Sequence, residues 1–136
     1  MGVISSIASW RVYSFMSDDG DVVTRWLERE NISLADKQAL WGRLDLLEKL
    51  GPEAALPGCI KALSQDFYYL DIRARKNALA LQPVFCYGPF AEREITILAG
   101  APIENRILGP RDVLPVAIRN LEILKRDRRR KVLLHT

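Results

Sequence analysis

Apolar and polar positions along the chain alternate with period two in some segments and recur near every third or fourth residue in others. Trp10 to Met16 (WRVYSFM) is rich in aromatic and β-branched residues and reads as a short strand. Ser17 to Gly20 (SDDG) breaks it. From Asp21 the period changes: Val22, Val23, Trp26 and Leu27 share one helical face, with Arg25, Glu28 and Arg29 turned away. A second helix opens at Ser33, whose spacing to Asp36 is a capping-box variant, and repeats Leu40, Trp41, Leu44 and Leu47. Gly51-Pro52 ends it, a residue free to turn left-handed followed by one that cannot continue the ladder. Residues 52–63 carry two prolines and a glycine and read as a loop with at most one helical turn.

The stretch YLDIRARKNALALQPVFCYGP (69–89) holds two alternations joined by Lys76-Asn77, a hairpin pairing 69–75 with 79–87. Leu70, Ile72 and Ala74 share one face of its first strand, which puts Asp71, Arg73 and Arg75 on the other. Pro83 removes a ladder donor and implies an edge or a bulge. REITILAGA (93–101) is apolar after its first charges, as expected of a central strand covered on both faces. A loop over 102–112 leads to a last helix. Asp112 is its expected cap and Pro115 sits in its first turn, with Val113, Val116, Ala117, Leu121 and Leu124 as the apolar stripe. The order strand, helix, helix, three strands, helix predicts an α+β domain: a small antiparallel sheet against an N-terminal helical hairpin, with a C-terminal helix. It should bury Trp26, Leu40, Leu44 and Leu47. Residues 1–9 are expected as a flexible start, 10–130 as one domain and 131–136 as a C-terminal tail.

Composition changes this picture little, but charge does. The 136 residues carry a net charge of +3, and KRDRRRK (125–131) holds six basic residues and one acidic, so the remainder is slightly acidic. Such a cluster suits nucleic acid, or is a solvated helix end. Cys59 and Cys86 lack metal-ligand spacing and the single histidine is His135, so zinc chemistry and a Cys-His nucleophile pair are excluded. Neither a metal nor a cofactor is expected, and the thiols read as buried apolar groups of a reducing cytoplasm. No apolar run spans a bilayer. MGVISS fits the loose myristoylation pattern by chance.

No Gly-rich phosphate loop and no Ser-His-Asp set occurs. Tyr69, Arg73 and Arg75 on the hairpin's charged face have the types that stack a base and hold phosphates. RNA cleavage without metal or histidine is open to arginine and lysine. The RNA's own 2′-OH attacks, while the cations neutralise the phosphorane and steady the leaving oxygen. The plain structural alternative is that Arg73 pairs with Asp71 or with an acidic helix residue.

Read in order, Leu47 and Gly51, Pro57, Lys61 with Leu63, and Leu70-Asp71-Ile72-Arg73 resemble a phage-derived branch of the RelE/HigB superfamily of type II toxins. EITILAGA is similar to that family's Ile-Val-Leu-Leu-His-Gly-Phe strand, and Pro110, Val113 and Ala117 to the start of its last helix. The resemblance spans about residues 10 to 130. It implies a RelE-like fold, ribosome-dependent mRNA cleavage without metal, and neutralisation by a cognate helix-turn-helix antitoxin in the cytoplasm. It casts Arg73 as the cation at the phosphate, with Arg75 and Arg106 assisting. Lys61, Tyr69, Lys76, Arg119, Lys125, Arg126, Arg128, Arg129 and Arg130 are cast as contacts to ribosomal or messenger RNA. The family's Lys-Lys pair falls on Ile103-Glu104, and its strand arginine on Gln82 or Pro83. A prophage-derived binding or regulatory module with an eroded site is the rival reading, and whether the chain is an enzyme stays open between the two. A phage structural or adaptor protein on a generic α+β core is a third.

Overall fold

In the computed structural model, residues 10–52, 58–73, 80–101 and 109–134 are described, and they form a mixed α+β fold with three helices and a mostly antiparallel sheet. Strand β1 (Arg11–Ser17) turns into a two-residue β2 (Gly20–Asp21), which runs directly into α1 (Val22–Arg29). The junction is pinned twice. Asp21 Oδ1 accepts the Thr24 amide at 3.0 Å as the helix cap. Ser14, buried in β1, donates to the same carboxylate at 2.9 Å and accepts the Val23 amide at 3.1 Å. Helix α2 (Leu34–Leu50) starts on the Ser33 hydroxyl, which accepts the Asp36 amide at 3.2 Å, and stops at Gly51 with φ 83°. Trp10 packs against that glycine so closely that a Cβ there would meet Nε1 at 3.0 Å.

The sheet continues with β3 (Ile60–Ser64), β4 (Phe67–Leu70), β5 (Ile72–Arg73), β6 (Ala80–Leu81), β7 (Pro83–Tyr87) and β8 (Glu94–Gly100). A 3-10 turn (Pro110–Val113) leads into α3 (Leu114–Arg126), and β9 (Lys131–Leu133) closes the described chain. The strand order is β2-β1-β8-β7-β4-β3, with β9 also on β1, and β5-β6 form a small separate ladder. The expected pairing of the central hairpin is present, Tyr68 with Phe85 and Ile72 with Leu81. So is the neighbouring β8, all seven residues of which are buried.

Two cores sandwich the sheet. On one face α1 and α2 bury Trp26, Leu27, Leu40, Leu44 and Leu47 over Leu70, Ile72, Phe85, Ile95 and Ile97. On the other, α3 lays Ala117, Leu121 and Leu124 on Phe15, Val84, Cys86 and Leu98. A bulge divides β8 between them. Register passes from Val84–Ala99 to Phe85–Ile97, so Leu98 is the extra residue, and Leu98 and Ala99 both join the α3 core. Gly100 then returns beneath Trp26, whose indole nitrogen donates to the Ala101 carbonyl at 2.9 Å.

Several expectations are corrected. Residues 60–63, read within a loop, belong to the edge strand β3, because Ile60 to Ser64 pair antiparallel with β4. The sheet is not wholly antiparallel: β1 and β8 run parallel, since the chain crosses the sheet between them. Residues 131–133 are not a tail but pair with Tyr13 to Phe15. Of the edge or bulge expected at Pro83, the edge is absent and a bulge follows at Val84/Phe85: Pro83 opens β7 between β8 and β4, where the missing donor interrupts the ladder after Leu81. Asp112 sits inside the 3-10 turn, accepting the Gly109 amide at 2.8 Å, and does not cap α3. Val116 is 39% exposed; the buried stripe of α3 instead includes Asn120, which donates to the Leu98 carbonyl at 2.9 Å.

Candidate nucleic-acid interface

Arg73 ends the short β5 strand and is exposed, with Nη2 3.5 Å from Asp71 Oδ2. Asp71 itself is largely covered, contrary to its expected place on an open face. Its other oxygen accepts from Gln82 Nε2 at 3.3 Å, across the gap where both ladders pause. Gln82, at a position where the resemblance expects a strand arginine, thus braces the carboxylate that holds Arg73. Arg75, Lys76 and Arg106, with Ile103 and Glu104, lie outside the described residues.

Lys61 is exposed on β3 directly across the ladder from Tyr69. Tyr69 is half-buried, packs against the α3-side core and lines a cleft of about 370 Å³ with Leu63, Arg111 and Asp112. Arg119, Lys125 and Arg126 are exposed on α3. The basic run beyond them folds back on the protein. Arg128 lies 4.5 Å over the Phe90 ring. Arg129 meets Asp127 at 3.0 Å, a hydrogen bond that lowers the Asp127 carboxyl below its ordinary value and raises the Arg129 guanidinium. Arg130 reaches Asp18 at 3.0 Å and stacks over Phe15. Lys131 is nearly buried, bonded to both oxygens of buried Glu94 at 3.2 and 3.3 Å and set 3.9 Å over Tyr13. Sequence order therefore does not make one cationic ribbon: the helix carries its part outward, and the following turn directs its part at carboxylates and rings.

The thiol of Cys86 is pushed up to about 12, chiefly by burial, which leaves it protonated and unreactive near neutrality. Among the described residues no group of His, Cys, Asp or Glu is placed to hold a metal ion, and no helix is long and apolar enough to cross a membrane.

A more voluminous cleft, about 590 Å³, escaped the sequence reading. It lies between α1 and α3, lined among others by Val22, Arg25, Arg29, Gly100, Val116 and Asn120. Arg25 and Arg29, four apart, were the only available signal, and they read simply as the solvated face of a helix. Comparison of the chain with protein-family models, curated proteins and solved structures returned no match.

Proposed function

We propose that the chain is a RelE/HigB-like toxin that cleaves messenger RNA at the ribosome and is held in check by a small helix-turn-helix antitoxin in the cytoplasm. The observation that carries this reading is the Arg73 guanidinium on the central hairpin, which stays open to a phosphate although it makes the pair with Asp71 that the plain structural alternative expects. Arg73 stands 68% exposed beside Asp71, and Asp71 is braced by Gln82. A strand, two helices, a β-meander and a helix in the expected order support it, as does the Leu70-Asp71-Ile72-Arg73 signature on the central hairpin.

In this mechanism the 2′-oxygen of the RNA attacks the adjacent phosphorus and loses its proton to water. The bond from phosphorus to the 5′-oxygen breaks, and that oxygen takes a proton from water. The products are a 2′,3′-cyclic phosphate and a 5′-hydroxyl. Arg73 neutralises the equatorial oxygens as charge develops, an effect worth on the order of 10²–10³ in rate for one such donor.

The rival, a binding or regulatory module on the same fold, is favoured by two observations. Neutral Gln82 stands where a charge stabiliser is expected, and Arg129, Arg130 and Lys131 are matched by Asp127, Asp18 and Glu94. Induced expression decides between them. A working toxin halts growth and leaves cleaved messenger on ribosomes, and Arg73→Ala abolishes both while the protein keeps its wild-type melting transition. Wild-type expression that leaves growth and messenger intact rejects the enzyme in favour of the module.

A further inference from the structure

We infer that the cleft between α1 and α3 is a nucleotide-binding site: it takes a ribonucleoside monophosphate unit, with the base on its apolar floor and the phosphate at Arg25 and Arg29. The inference goes beyond the proposed cleavage and does not depend on it.

Its position comes from topology. β1 and β8 pair in parallel, Val12 opposite Ile95 and Ser14 opposite Ile97, so their carboxyl ends emerge side by side at Ser17 and Gly100. From β1 the chain enters α1, which packs on the Trp26 side of the sheet. After β8 it returns through α3 on the opposite side. Two parallel strands whose following helices depart to opposite faces leave a crevice outside their carboxyl ends, the place where open α/β sheets bind ligands. The cleft lies there, lined by Ser17 at the end of β1, by Asp19 just after it, and by Leu98, Ala99 and Gly100 at the end of β8. At about 590 Å³ it falls within the range of small-molecule sites, about 300–1,000 Å³.

Its chemistry suits a nucleotide. Val22, Val113 and Val116 supply an apolar surface for a planar ring. Arg25 and Arg29, one helical turn apart, supply the cations for a phosphate. Their present partners are Glu28 at 3.4 Å, an exposed pair that contributes little, and the largely covered Glu30 at 3.5 Å. Asp19 and Glu28 at the rim add acceptors of the kind that ribose hydroxyls use. A purely anionic ligand would leave those carboxylates unmatched, and a purely apolar one would use neither arginine.

The cleft also shares an end of the sheet with Arg73. Gly100 pairs with Pro83, the Ala101 amide donates to the Gln82 carbonyl at 3.2 Å, and the Gln82 side chain donates to Asp71.

The test is an amide-resolved NMR titration of the full chain with 5′-AMP, GMP, CMP and UMP, and with a single-stranded hexaribonucleotide. Saturable shifts at Arg25, Ala99, Gly100 and Asn120 are expected. Arg29→Ala should weaken binding roughly tenfold, the scale of one lost charge-assisted hydrogen bond. Val116→Trp should fill the cleft and abolish binding, and its own dispersed spectrum reports that it folds. Saturation by mononucleotides identifies a free nucleotide as the ligand; saturation by the hexamer alone identifies an RNA strand. No saturable shift at these amides with any probe overturns the inference, as does binding that neither variant alters. Messenger cleavage on induction is read separately, so a chain that binds here without cleaving, or cleaves without binding here, separates this site from the proposed activity.

Discussion

Replacing Gly100 by alanine should be among the most damaging single-methyl additions in this protein. A Cβ at Gly100 would sit 2.2, 2.4 and 2.5 Å from Cδ2, Cγ and Cε2 of Trp26, well inside van der Waals contact. The indole cannot step aside easily. It is 1% exposed, packed in the α1–α2 core, and tied by Nε1 to the Ala101 carbonyl at 2.9 Å. Overpacking of a dense core costs about 1–3 kcal/mol. Shifting the ring also strains or breaks a buried hydrogen bond, whose orphaned partners cost about 1–3 kcal/mol. Gly100→Ala should therefore destabilise by roughly 3 kcal/mol, on the order of 10 °C in Tm for a chain of this size. Urea unfolding followed by far-UV circular dichroism measures it. The clash can be isolated with Trp26→Leu, which removes the ring. That change alone is costly, but in the Gly100→Ala background the second substitution should cost much less than the sum, a coupling of at least about 1 kcal/mol. A Gly100→Ala protein within about 0.5 kcal/mol of wild type, or strict additivity of the pair, would refute the packing described for Trp26 and β8.

Three further outcomes follow from the same structure. Lys131→Met should cost about 3 kcal/mol in urea melts, because it strands buried Glu94 without its cation; a change below 1 kcal/mol would mean that β9 is not anchored by this pair. The Cys86 thiol keeps its proton up to about 12 against an ordinary 9.0, so the stability it contributes is whole below pH 9 and is lost as pH rises through that window, by about 1.4 kcal/mol per unit. Cys86→Val should thus lose less stability between pH 8 and 10.5 than wild type, and parallel losses would contradict the assignment. In RNA binding, replacing Arg119, Lys125 and Arg126 by glutamine should flatten the dependence of log K on log salt by about 2, near 0.7 per single-strand phosphate contact, whereas Arg129→Gln, whose cation is held by Asp127, should change it little.

How much of this was legible in the chain depended on the range of the interaction that decides each feature. Ser33 and Gly51 delimit α2 as read, because a hydroxyl reaching an amide three residues on and a left-handed stop are local events. The apolar run of β8 announced a strand covered on both faces, since no other placement hides so many consecutive side chains. The hairpin about Lys76-Asn77 was visible in its alternation, and the donor missing at Pro83 marked a disturbed ladder; the Gln82–Asp71 side-chain bond across the break, between residues eleven apart, was not visible.

Local pattern by itself determined the α+β class and the three helices. It could not determine β3, whose five residues alternate weakly and become a strand only because β4 offers a ladder. Nor could it reveal that β1 and β8 run parallel, since direction is set by how the intervening elements cross the sheet, and that choice created the cleft at Ser17 and Gly100. The basic run shows the same limit from the other side. Its charge is plain in the chain, but whether each cation meets solvent or protein was decided by the turn after Arg126. That turn brings Arg130 to Asp18, 112 residues away, and Lys131 to Glu94. Charge is a property of a residue; the desolvation and pairing that give it a role belong to neighbours that only the tertiary fold supplies.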